Sequence, residues 1–591
     1  MRYEYIKSEK NIDRPLKKME ACSFLFLDTE VAVKNFDKID YFKDKVRLIQ
    51  IGTQDEIFIF DAFHIPEIGS YLKPILEKKG VVGHNLKFDI KFLKTNFDIL
   101  PRVVFDTMIA SQILSEGKNS KHSLLAVSLR EADFELDKSQ QKSAWHLYEL
   151  TPQQVEYAAK DVEALRRIFP LLKEKLNNMK TPHKSTGKIK EIFGVENPVA
   201  AVEFTFVPNL ALIELKGMPV DKLQLENMLR DFQSKYQRLY IEFVRKYNID
   251  PFSPAKVANW IVDKLGIKLP KTQKGALSSQ DKVLKKYHHI EPIKELSTIR
   301  TTKKLLDKLK EINLYVQPDF DSKTTGRIRS QFRQIGAPTG RMSSFQPNLQ
   351  NVPPSLKHIF KPSEKFKLIV ADYSQIELRI AAEYTKDEVM ISAFKEGKDL
   401  HRFTASLITG KQYEEIGKDE RQLAKAINFG LIYGMSPKSL MEYAENNYGI
   451  HISLKEAKDF HEKFFQHYKN FKLWHEKTKE QLAKHREIVV ESLLGRKIRV
   501  SRFTDAVNYP IQATGSDMLK MAVNFFYLLK DKINADVVNL VHDEIVVETG
   551  KEQARQVKDI LSESMKRAGQ ILLKNVPVEF EIKVVDTWAE K

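Results

Sequence analysis

Cysteine and long apolar runs are scarce in this 591-residue chain. The one cysteine, Cys22, excludes an intramolecular disulfide and a cysteine-based zinc site, and it fits a reducing, intracellular setting. No apolar run approaches about 18 residues, and the start MRYEYIKSEKNIDR holds no secretory segment, so we expect neither a membrane span nor a membrane partner. At about 150 residues per domain, the length predicts roughly three to five domains.

Positive charge, by contrast, is in excess. The chain has 96 Lys and Arg against 79 Asp and Glu, a net charge of +17. This excess favours a polyanionic partner such as nucleic acid, although biased amino-acid usage would produce the same surplus. The polar segment at 173–191 separates two differently patterned regions, so we expect one domain at 1–190 and further domains in 191–591.

Carboxylates accompany the apolar runs of the first region. Runs such as SFLFLDTE and VRLIQIG alternate with helical stretches, which predicts an α/β sheet domain with the acids at strand ends. Asp28 and Glu30 are two residues apart on one strand, so their side chains point the same way. Asp89 follows, and Asp161 lies four residues after Tyr157 on a predicted helix. Four acids with no matching Lys or Arg in their motifs indicate bound divalent cations, although each acid alone is typical of a solvated surface.

In the second region, RQLAKAINFGLIY spaces Arg421, Lys425, Phe429 and Tyr433 four residues apart. On a helix these side chains form one stripe, with two cations suited to phosphates and two aromatic rings suited to a sugar and base. The alternative is an amphipathic helix whose rings pack in the core and whose cations are solvated.

Two acidic elements flank this stripe. In KLIVADYSQIELR, a buried strand from 368 to 371 is expected to end at Asp372, with a helix from Gln375 that carries Glu377. In VVNLVHDEIVVE, two strands are expected to join in a hairpin whose tip consists of His542, Asp543 and Glu544. Such a tip favours a bound cation, with a solvated acidic turn as the alternative.

Long hydrogen-bond donors are dense between 324 and 353, after a stretch at 199–310 that is predicted to be mostly helical. They are suited to phosphates and minor-groove acceptors, with a charged hairpin as the alternative. These donors are Arg327, Arg329, Arg333, Arg341, Asn348, Gln350 and Asn351.

The ordered strings DTE, NLKFD and YAAKD resemble the motifs of the proofreading 3′–5′ exonuclease family over about 20–175. The resemblance implies a ribonuclease H-like domain and an active nuclease. The implied metal ligands are Asp28, Glu30, Asp89 and Asp161. By the same resemblance Tyr157 orients the attacking water, Asn85 and Phe88 shape the single-stranded substrate cleft, and Asp106 is structural.

DYSQIELR, RxxxKAINFGLIYG and VHDE resemble motifs A, B and C of family A DNA polymerases. The resemblance covers about 200–591 and implies a right-hand polymerase domain; no segment resembles the family's 5′ nuclease domain. This layout and the string LDKSQQKSAW are similar to an Aquifex-like and apicoplast-like branch. The implied subdomains are a thumb at about 200–330, a palm at about 335–400 and 490–591, and fingers at about 400–490.

The polymerase resemblance implies two Mg²⁺ ions at the polymerase site, and the exonuclease resemblance implies two more at the nuclease site. Mn²⁺ would substitute for Mg²⁺ at either site. Asp372 and Asp543 would bind them with the backbone oxygen of Tyr373, and Glu544 would assist nearby. The ions would lower the pKa of the primer 3′ hydroxyl and stabilise the leaving pyrophosphate.

The resemblance also implies a nucleotide site. Its residues would be Gln375, Glu377, His401, Arg421, Lys425, Phe429 and Tyr433. Lys425 would donate a proton to pyrophosphate, and Glu377 paired with Tyr433 would exclude a ribose 2′ hydroxyl. Phenylalanine at 429 implies poor use of dideoxynucleotides.

Contacts to DNA are implied in the same way. The implied residues are Arg341, Asn348, Gln350, Asn351, Asn508, Gln512 and His542. The sequence departs from the pattern in two places. A segment at 31–45 replaces a shorter, more polar loop, and 12 residues separate Gly495 from Asn508, with Thr504 where an Arg is expected and Arg502 as its candidate substitute.

The leading interpretation is a DNA-templated DNA polymerase with proofreading that uses primer-template DNA and deoxynucleoside triphosphates. A dedicated exonuclease with a silent polymerase half would need to lack Asp372, Asp543 or Lys425, and all three are present. A non-catalytic, basic nucleic-acid scaffold would leave both sets of carboxylates without purpose. We expect a monomer in a bacterial or phage-infected cytoplasm, or in an organelle such as the apicoplast; the sequence does not identify a helicase or clamp partner.

Overall fold

A computed structural model describes residues 1–33, 39–141, 143–320 and 322–591, so residues 34–38 of the unusual segment at 31–45 lie outside it. The first region is an α/β domain, as its pattern predicts. Its strands are β1 (Tyr3–Ile6), β2 (Phe24–Ala32), β3 (Lys45–Gly52), β4 (Ile57–Asp61), β5 (Gly80–Gly83) and β6 (Val104–Asp106). Its helices are α1 (Asp13–Glu20), α2 (Ile68–Leu76), α3 (Lys87–Phe97), α4 (Thr107–Leu114), α5 (Leu124–Ala132), α6 (Pro152–Asn178) and α7 (Lys188–Phe193).

One mixed sheet of six strands, in the order β1-β4-β3-β2-β5-β6, organises this domain. Helix α6 packs across β2, β3 and β4. It begins at a capping box in which the Thr151 side chain accepts from the backbone N–H of Gln154 and the Gln154 side chain accepts from that of Thr151, with Pro152 in the first turn. This start places Tyr157 and Asp161 on the buried face of α6, towards the sheet.

The next part of the chain is mostly helical, as predicted for 199–310. Its elements are α8 (Pro198–Lys216), β7 (Met218–Asp221), α9 (Lys222–Tyr247), α10 (Pro254–Leu265), α11 (Asp281–Leu284), α12 (Glu291–Leu314), β8 (Val316–Asp319) and β9 (Ser322–Ile328). The long helices α9 and α12 pack against each other. A small sheet in the order β7-β9-β8 lies at their base, and a separate apolar cluster around Phe243, Val257 and Ile293 holds α10 and α11 at the far end.

The remainder carries a second sheet and a helical lobe. Its strands are β10 (Gln331–Arg333), β11 (Ser343–Phe345), β12 (Phe366–Tyr373), β13 (Ile488–Glu491), β14 (Lys497–Val500), β15 (Ala535–Val541), β16 (Glu544–Gly550) and β17 (Phe580–Val585). Its helices are α13 (Ile376–Thr385), α14 (Glu388–Lys395), α15 (Leu400–Thr409), α16 (Lys418–Ile432), α17 (Pro437–Tyr443), α18 (Leu454–His467), α19 (Lys469–Lys484), α20 (Phe503–Leu529) and α21 (Ala554–Leu572). Strands β15-β16-β12-β17 form an antiparallel sheet backed by α21, which packs on α20.

Helix α8 joins the two regions through one continuous apolar core. It packs against α3, α4 and β6 on one side and against β15 and α20 on the other. By length and composition α8 could cross a membrane, but 78% of its apolar window is buried inside the protein, as in a core helix. The expectation that no apolar run approaches 18 residues overlooked this helix, because Glu203 and Glu214, which are both buried, interrupt its apolar sequence.

Glu214 anchors a buried ionic junction between the regions. It accepts hydrogen bonds from the Lys87 ammonium at 2.5 Å, the Lys91 ammonium at 2.6 Å and the backbone N–H of Phe332 at 2.7 Å. Lys91 also donates to the Gln331 side chain at 2.7 Å. Although burial raises the pKa of Glu214, the two ammonium charges outweigh it, so the pKa is lowered and the carboxylate stays ionised.

Candidate active sites

Three carboxylates of the first domain converge on one point. Asp28 and Glu30 lie on the same face of β2, and α6 brings Asp161 to them; one oxygen of each lies within 4.8 Å of the others. The prediction that the acids end a strand was wrong, since β2 continues to Ala32 and pairs with β3 along this length. Burial first, and then the charges of neighbouring carboxylates, raise the pKa of Asp28 and of Glu30. Such a group of hard oxygen donors fits a divalent cation.

Asp89 lies beside this trio, in the first turn of α3. It is buried and accepts a hydrogen bond from the Thr29 hydroxyl at 2.6 Å, and burial raises its pKa to about 7. Its charge is close enough to raise the pKa of Asp28. Asp106, which was expected to be structural, caps α4 and accepts four backbone hydrogen bonds, from Asn85, Leu86, Met108 and Ile109.

Lys138 is the residue of this site that the motifs do not contain. Its ammonium lies 3.0 and 3.1 Å from the two carboxylate oxygens of Asp161 and 3.3 Å from the Tyr157 hydroxyl. Burial raises the pKa of Tyr157, which keeps the phenol protonated beside the acids. Lys138 therefore adds a basic residue to a site whose motifs have no matching Lys or Arg. In the sequence, Lys138 belongs to the string LDKSQQKSAW, which lies between α5 and α6.

A cavity of about 330 Å³ lies next to this site, between the two regions. Asn85 and Phe88 form part of its wall on the nuclease side, and Gln331, Arg333 and Phe345 face them from the other region. Both residues that were expected to shape the single-stranded substrate cleft therefore lie in the wall of this cavity.

The second site is built on adjacent strands of the four-stranded sheet. The register places Asp372 of β12 directly opposite Glu544 of β16, and Asp543 lies in the turn just before β16. Burial first, and then the charge of Asp372, raise the pKa of Asp543 to about 7. The Oδ1 atom of Asp372 is buried and has no hydrogen-bond partner among the described residues. A buried acceptor without a donor, beside a second carboxylate, fits a cation.

Two details of the expected hairpin and strand were wrong. Asp372 does not end its strand, because Tyr373 continues it and pairs with Phe580 of β17. Glu544 is not at the hairpin tip but is a buried residue of β16, and the turn consists of His542 and Asp543. Propensity alone does not separate these cases, since the sheet's register decides where pairing stops.

Glu544 and Asp372 share a basic neighbour. The Lys591 ammonium lies 2.6 Å from Oδ2 of Asp372 and 2.5 Å from Oε2 of Glu544. The indole N–H of Trp588 donates to Oε1 of Glu544 at 2.6 Å, and the Lys357 ammonium lies 4.0 Å from the Trp588 ring centre. No local pattern in the sequence predicts these contacts.

The helix with the four-residue spacing is α16, with Tyr433 at its C-terminal cap. All four stripe residues are half-buried; the Tyr433 ring packs against the main apolar core, as the alternative interpretation expects, whereas the Phe429 ring does not belong to that cluster. The Arg421 guanidinium donates to Asp399, which caps α15, at 2.6 Å. The charges of Arg421 and Lys425 contribute to the low pKa of His401, about 4, after the larger effect of burial.

Around this stripe the predicted nucleotide residues come together. The His401 ring lies 5.7 Å from that of Phe429. The Tyr433 hydroxyl donates to Glu377, and Arg341 donates to the other oxygen of Glu377 at 2.6 Å. Gln375 precedes α13 with a positive φ of 51°, and its side-chain oxygen is buried.

Of the predicted DNA-contact residues, Arg327 is buried and the others are at least partly exposed. Arg327 is buried and pairs with Asp319 at 3.1 Å and Glu548 at 2.7 Å, so the prediction that it reaches DNA was wrong. Arg329 is half-buried and donates to a backbone carbonyl, whereas Arg333 is exposed over an aromatic ring.

The other members keep exposed or half-exposed positions. Gln350 bridges the Ser344 backbone N–H and a carbonyl of β15, and Asn348 accepts from the Gln350 backbone. On α20 the Gln512 amide donates to Asn508 at 2.7 Å. Asn351 and His542 are exposed. Arg502, the candidate substitute near Thr504, is bound to Asp505 at 2.7 Å.

Comparison with known proteins agrees with this geometry. Residues 222–590 match DNA polymerase family A, and residues 3–177 match a 3′–5′ exonuclease family. DNA polymerase I of Aquifex aeolicus (strain VF5) is 44% identical over 595 residues, which cover 100% of both chains. DNA polymerase I of Pseudomonas aeruginosa is 30% identical over 100% of this chain and 66% of that protein.

A solved structure shows the same fold. The POL domain of Pol1 from M. smegmatis, in complex with DNA primer-template and dNTP, superposes with a TM-score of 0.81 at 22% identity over 100% of this chain and 99% of that chain. At this identity the likeness concerns the fold alone. The two family matches and the full-length identity to the Aquifex protein show that the chain belongs to DNA polymerase family A and is a DNA-directed DNA polymerase with a 3′–5′ exonuclease domain.

Proposed function

We propose that this polymerase extends a primer 3′ end at Asp372 and Asp543 and removes mispaired 3′ ends at Asp28, Glu30 and Asp161. The observation that carries the proposal is the contact between the Tyr433 hydroxyl and Glu377. It brings the end of the cationic and aromatic helix α16 to the strand-and-helix unit that presents the Asp372 carboxylate.

The subdomains follow from this arrangement. Helices α9 to α12 would form a thumb, the four-stranded sheet with α20 and α21 a palm, and α15 to α19 the fingers, with the exonuclease domain at 1–190. The matches to residues 3–177 and 222–590 support a division near this position.

Both carboxylate sets are suited to Mg²⁺, with two ions at each site. Asp372 and Asp543 with the Tyr373 carbonyl would hold one pair, and the other pair would be held by Asp28, Glu30, Asp89 and Asp161. Hard oxygen donors and the raised pKa of Asp543 support this assignment. When bound, the ions would activate the attacking oxygen and stabilise charge on the leaving group.

The protein side chains would position the reactants. Arg421, Lys425 and His401 would bind the triphosphate from one side, and Lys425 would donate a proton to pyrophosphate. Phe429 would lie against the sugar, and Glu377 held by Tyr433 would fill the space of a ribose 2′ hydroxyl. At the nuclease site the protonated Tyr157 would orient water towards the scissile phosphate.

Template and primer would contact the minor-groove readers Arg341, Asn508, Gln512 and His542, and the backbone near Asn348, Gln350 and Asn351. The polymerase domain from M. smegmatis was solved with primer-template and dNTP, which supports these as partners. The bacterial relatives support a bacterial cytoplasm, and we expect the enzyme to act as a monomer.

Primer extension with four deoxynucleotides and Mg²⁺ tests the proposal. Asp543→Ala should abolish extension and keep degradation of single strands, whereas Asp28→Ala with Glu30→Ala should do the reverse. A wild-type protein that degrades but never extends would refute the polymerase assignment. Loss of both activities in either variant would refute the separation of the two sites.

A further inference from the structure

Each of the two carboxylate sites holds a lysine ammonium. At the nuclease site Lys138 contacts both oxygens of Asp161, at 3.0 and 3.1 Å. At the polymerase site Lys591 bridges Asp372 and Glu544, at 2.6 and 2.5 Å. The two sites lie on different sheets and share no sequence motif, yet the same kind of contact recurs.

At both sites the ammonium binds carboxylate oxygens that, in the proposed function, would bind a metal ion or lie directly beside one. An ammonium is a compact point charge with three donors, so it can neutralise acids that repel each other. A divalent ion needs the same lone pairs at about 2.0–2.1 Å, which leaves no room for the ammonium.

The lysines are also free to leave. Their side chains are 25% exposed for Lys138 and 31% exposed for Lys591, whereas Asp161 and Glu544 are nearly buried. Lysine has a long flexible stem, so its ammonium can swing into water while the carboxylates stay fixed in β12, β16 and α6.

We propose that Lys138 and Lys591 are tethered cations that occupy the two carboxylate sites before metal binds, so that metal loading of each site displaces its own lysine. The inference rests on the metal sites of the proposed function. The apparent affinity for metal is the intrinsic affinity multiplied by the fraction of molecules in which the lysine has left the site. Removing it should therefore tighten metal binding, by roughly three- to tenfold for a lysine that is bound most of the time.

Mn²⁺ binding to the full-length protein, measured by electron paramagnetic resonance, tests this without an activity assay. Asp28→Asn with Glu30→Gln leaves the polymerase site as the reporter, and Asp372→Asn with Asp543→Asn leaves the nuclease site. Lys591→Met should tighten binding only in the first background, and Lys138→Met only in the second, so each lysine is the control for the other.

Nearby lysines that do not contact the carboxylates are matched controls for the loss of a charge. Lys367 pairs with Asp586 at the far end of β12 from Asp372, and Lys160 pairs with Glu156 on the exposed side of α6. Lys367→Met and Lys160→Met should leave the Mn²⁺ affinity within about twofold, since screened charges act weakly.

The outcomes separate the two hypotheses. If neither background binds Mn²⁺, the metal sites themselves are wrong. If Mn²⁺ binds and the lysine variants leave its affinity unchanged or weaker, the displacement inference is overturned while the metal sites stand. Equal tightening by Lys367→Met or Lys160→Met would likewise overturn it, because general charge repulsion would then explain the effect.

Discussion

The buried junction at Glu214 leads to a specific stability prediction. Glu214→Gln keeps the shape of the side chain and an acceptor for the Phe332 N–H, but it removes the charge that compensates the Lys87 and Lys91 ammoniums. Glu214 and Lys91 are each 2% exposed, so water cannot replace the lost charge. Breaking a buried ion pair by removing one partner costs about 3–5 kcal/mol. We expect a loss of that size in the free energy of unfolding.

Urea unfolding followed by tryptophan fluorescence measures this loss. Glu156→Gln, which breaks an exposed pair with Lys160 at 2.8 Å, should cost less than about 1 kcal/mol under the same conditions. Adding Lys91→Met to Glu214→Gln should recover part of the loss, because one uncompensated ammonium is removed. A Glu214→Gln protein within about 1 kcal/mol of wild type would refute the argument that this junction is dry and charged.

Three further predictions concern the sites. Phe429→Tyr should raise dideoxynucleotide incorporation by about 10- to 100-fold, because the added hydroxyl can make one hydrogen bond to a charged group. Equal chain-termination ratios for the two proteins would contradict this. Glu377→Ala should lower discrimination against ribonucleotides at least about tenfold in kcat/KM, and an unchanged ratio would argue against a steric gate. Because the pKa of Asp543 is raised to about 7, protonation stabilises the metal-free protein below that pH, and this stability is lost as pH rises through 7. Correspondingly, Mn²⁺ affinity of the polymerase site should fall about tenfold from pH 8 to pH 6, whereas a flat profile would mean an ordinary carboxylate.

Local pattern was enough to predict the positions of the motif residues. A period of two places Asp28 and Glu30 on one face of β2, and a spacing of four places the stripe from Arg421 to Tyr433 on one side of α16. These relations depend only on backbone geometry within one element. The α/β pattern of the first region and the helical stretch at 199–310 were confirmed for the same reason.

Contacts between distant segments could not be predicted in this way. Lys138 comes from a connection 23 residues before Asp161, and Lys591 lies 219 residues after Asp372. Arg327 looks like a DNA contact within its own string, but tertiary packing buries it against Glu548, 221 residues away. The tertiary fold determines which charged side chains lie close enough to pair, and this cannot be read from their spacing in the sequence.

Because both regions share the core along α8, replacing single residues can remove one activity, but deleting the nuclease domain would disrupt the polymerase as well. One side of this helix is covered by the nuclease domain, so removing residues 1–190 would expose a long apolar face and strand the Glu214 carboxylate without its lysines. We therefore expect that a descendant with no need for proofreading would lose it by replacing single acids such as Asp28 or Glu30. The domain itself would persist as an inactive structural support for the polymerase.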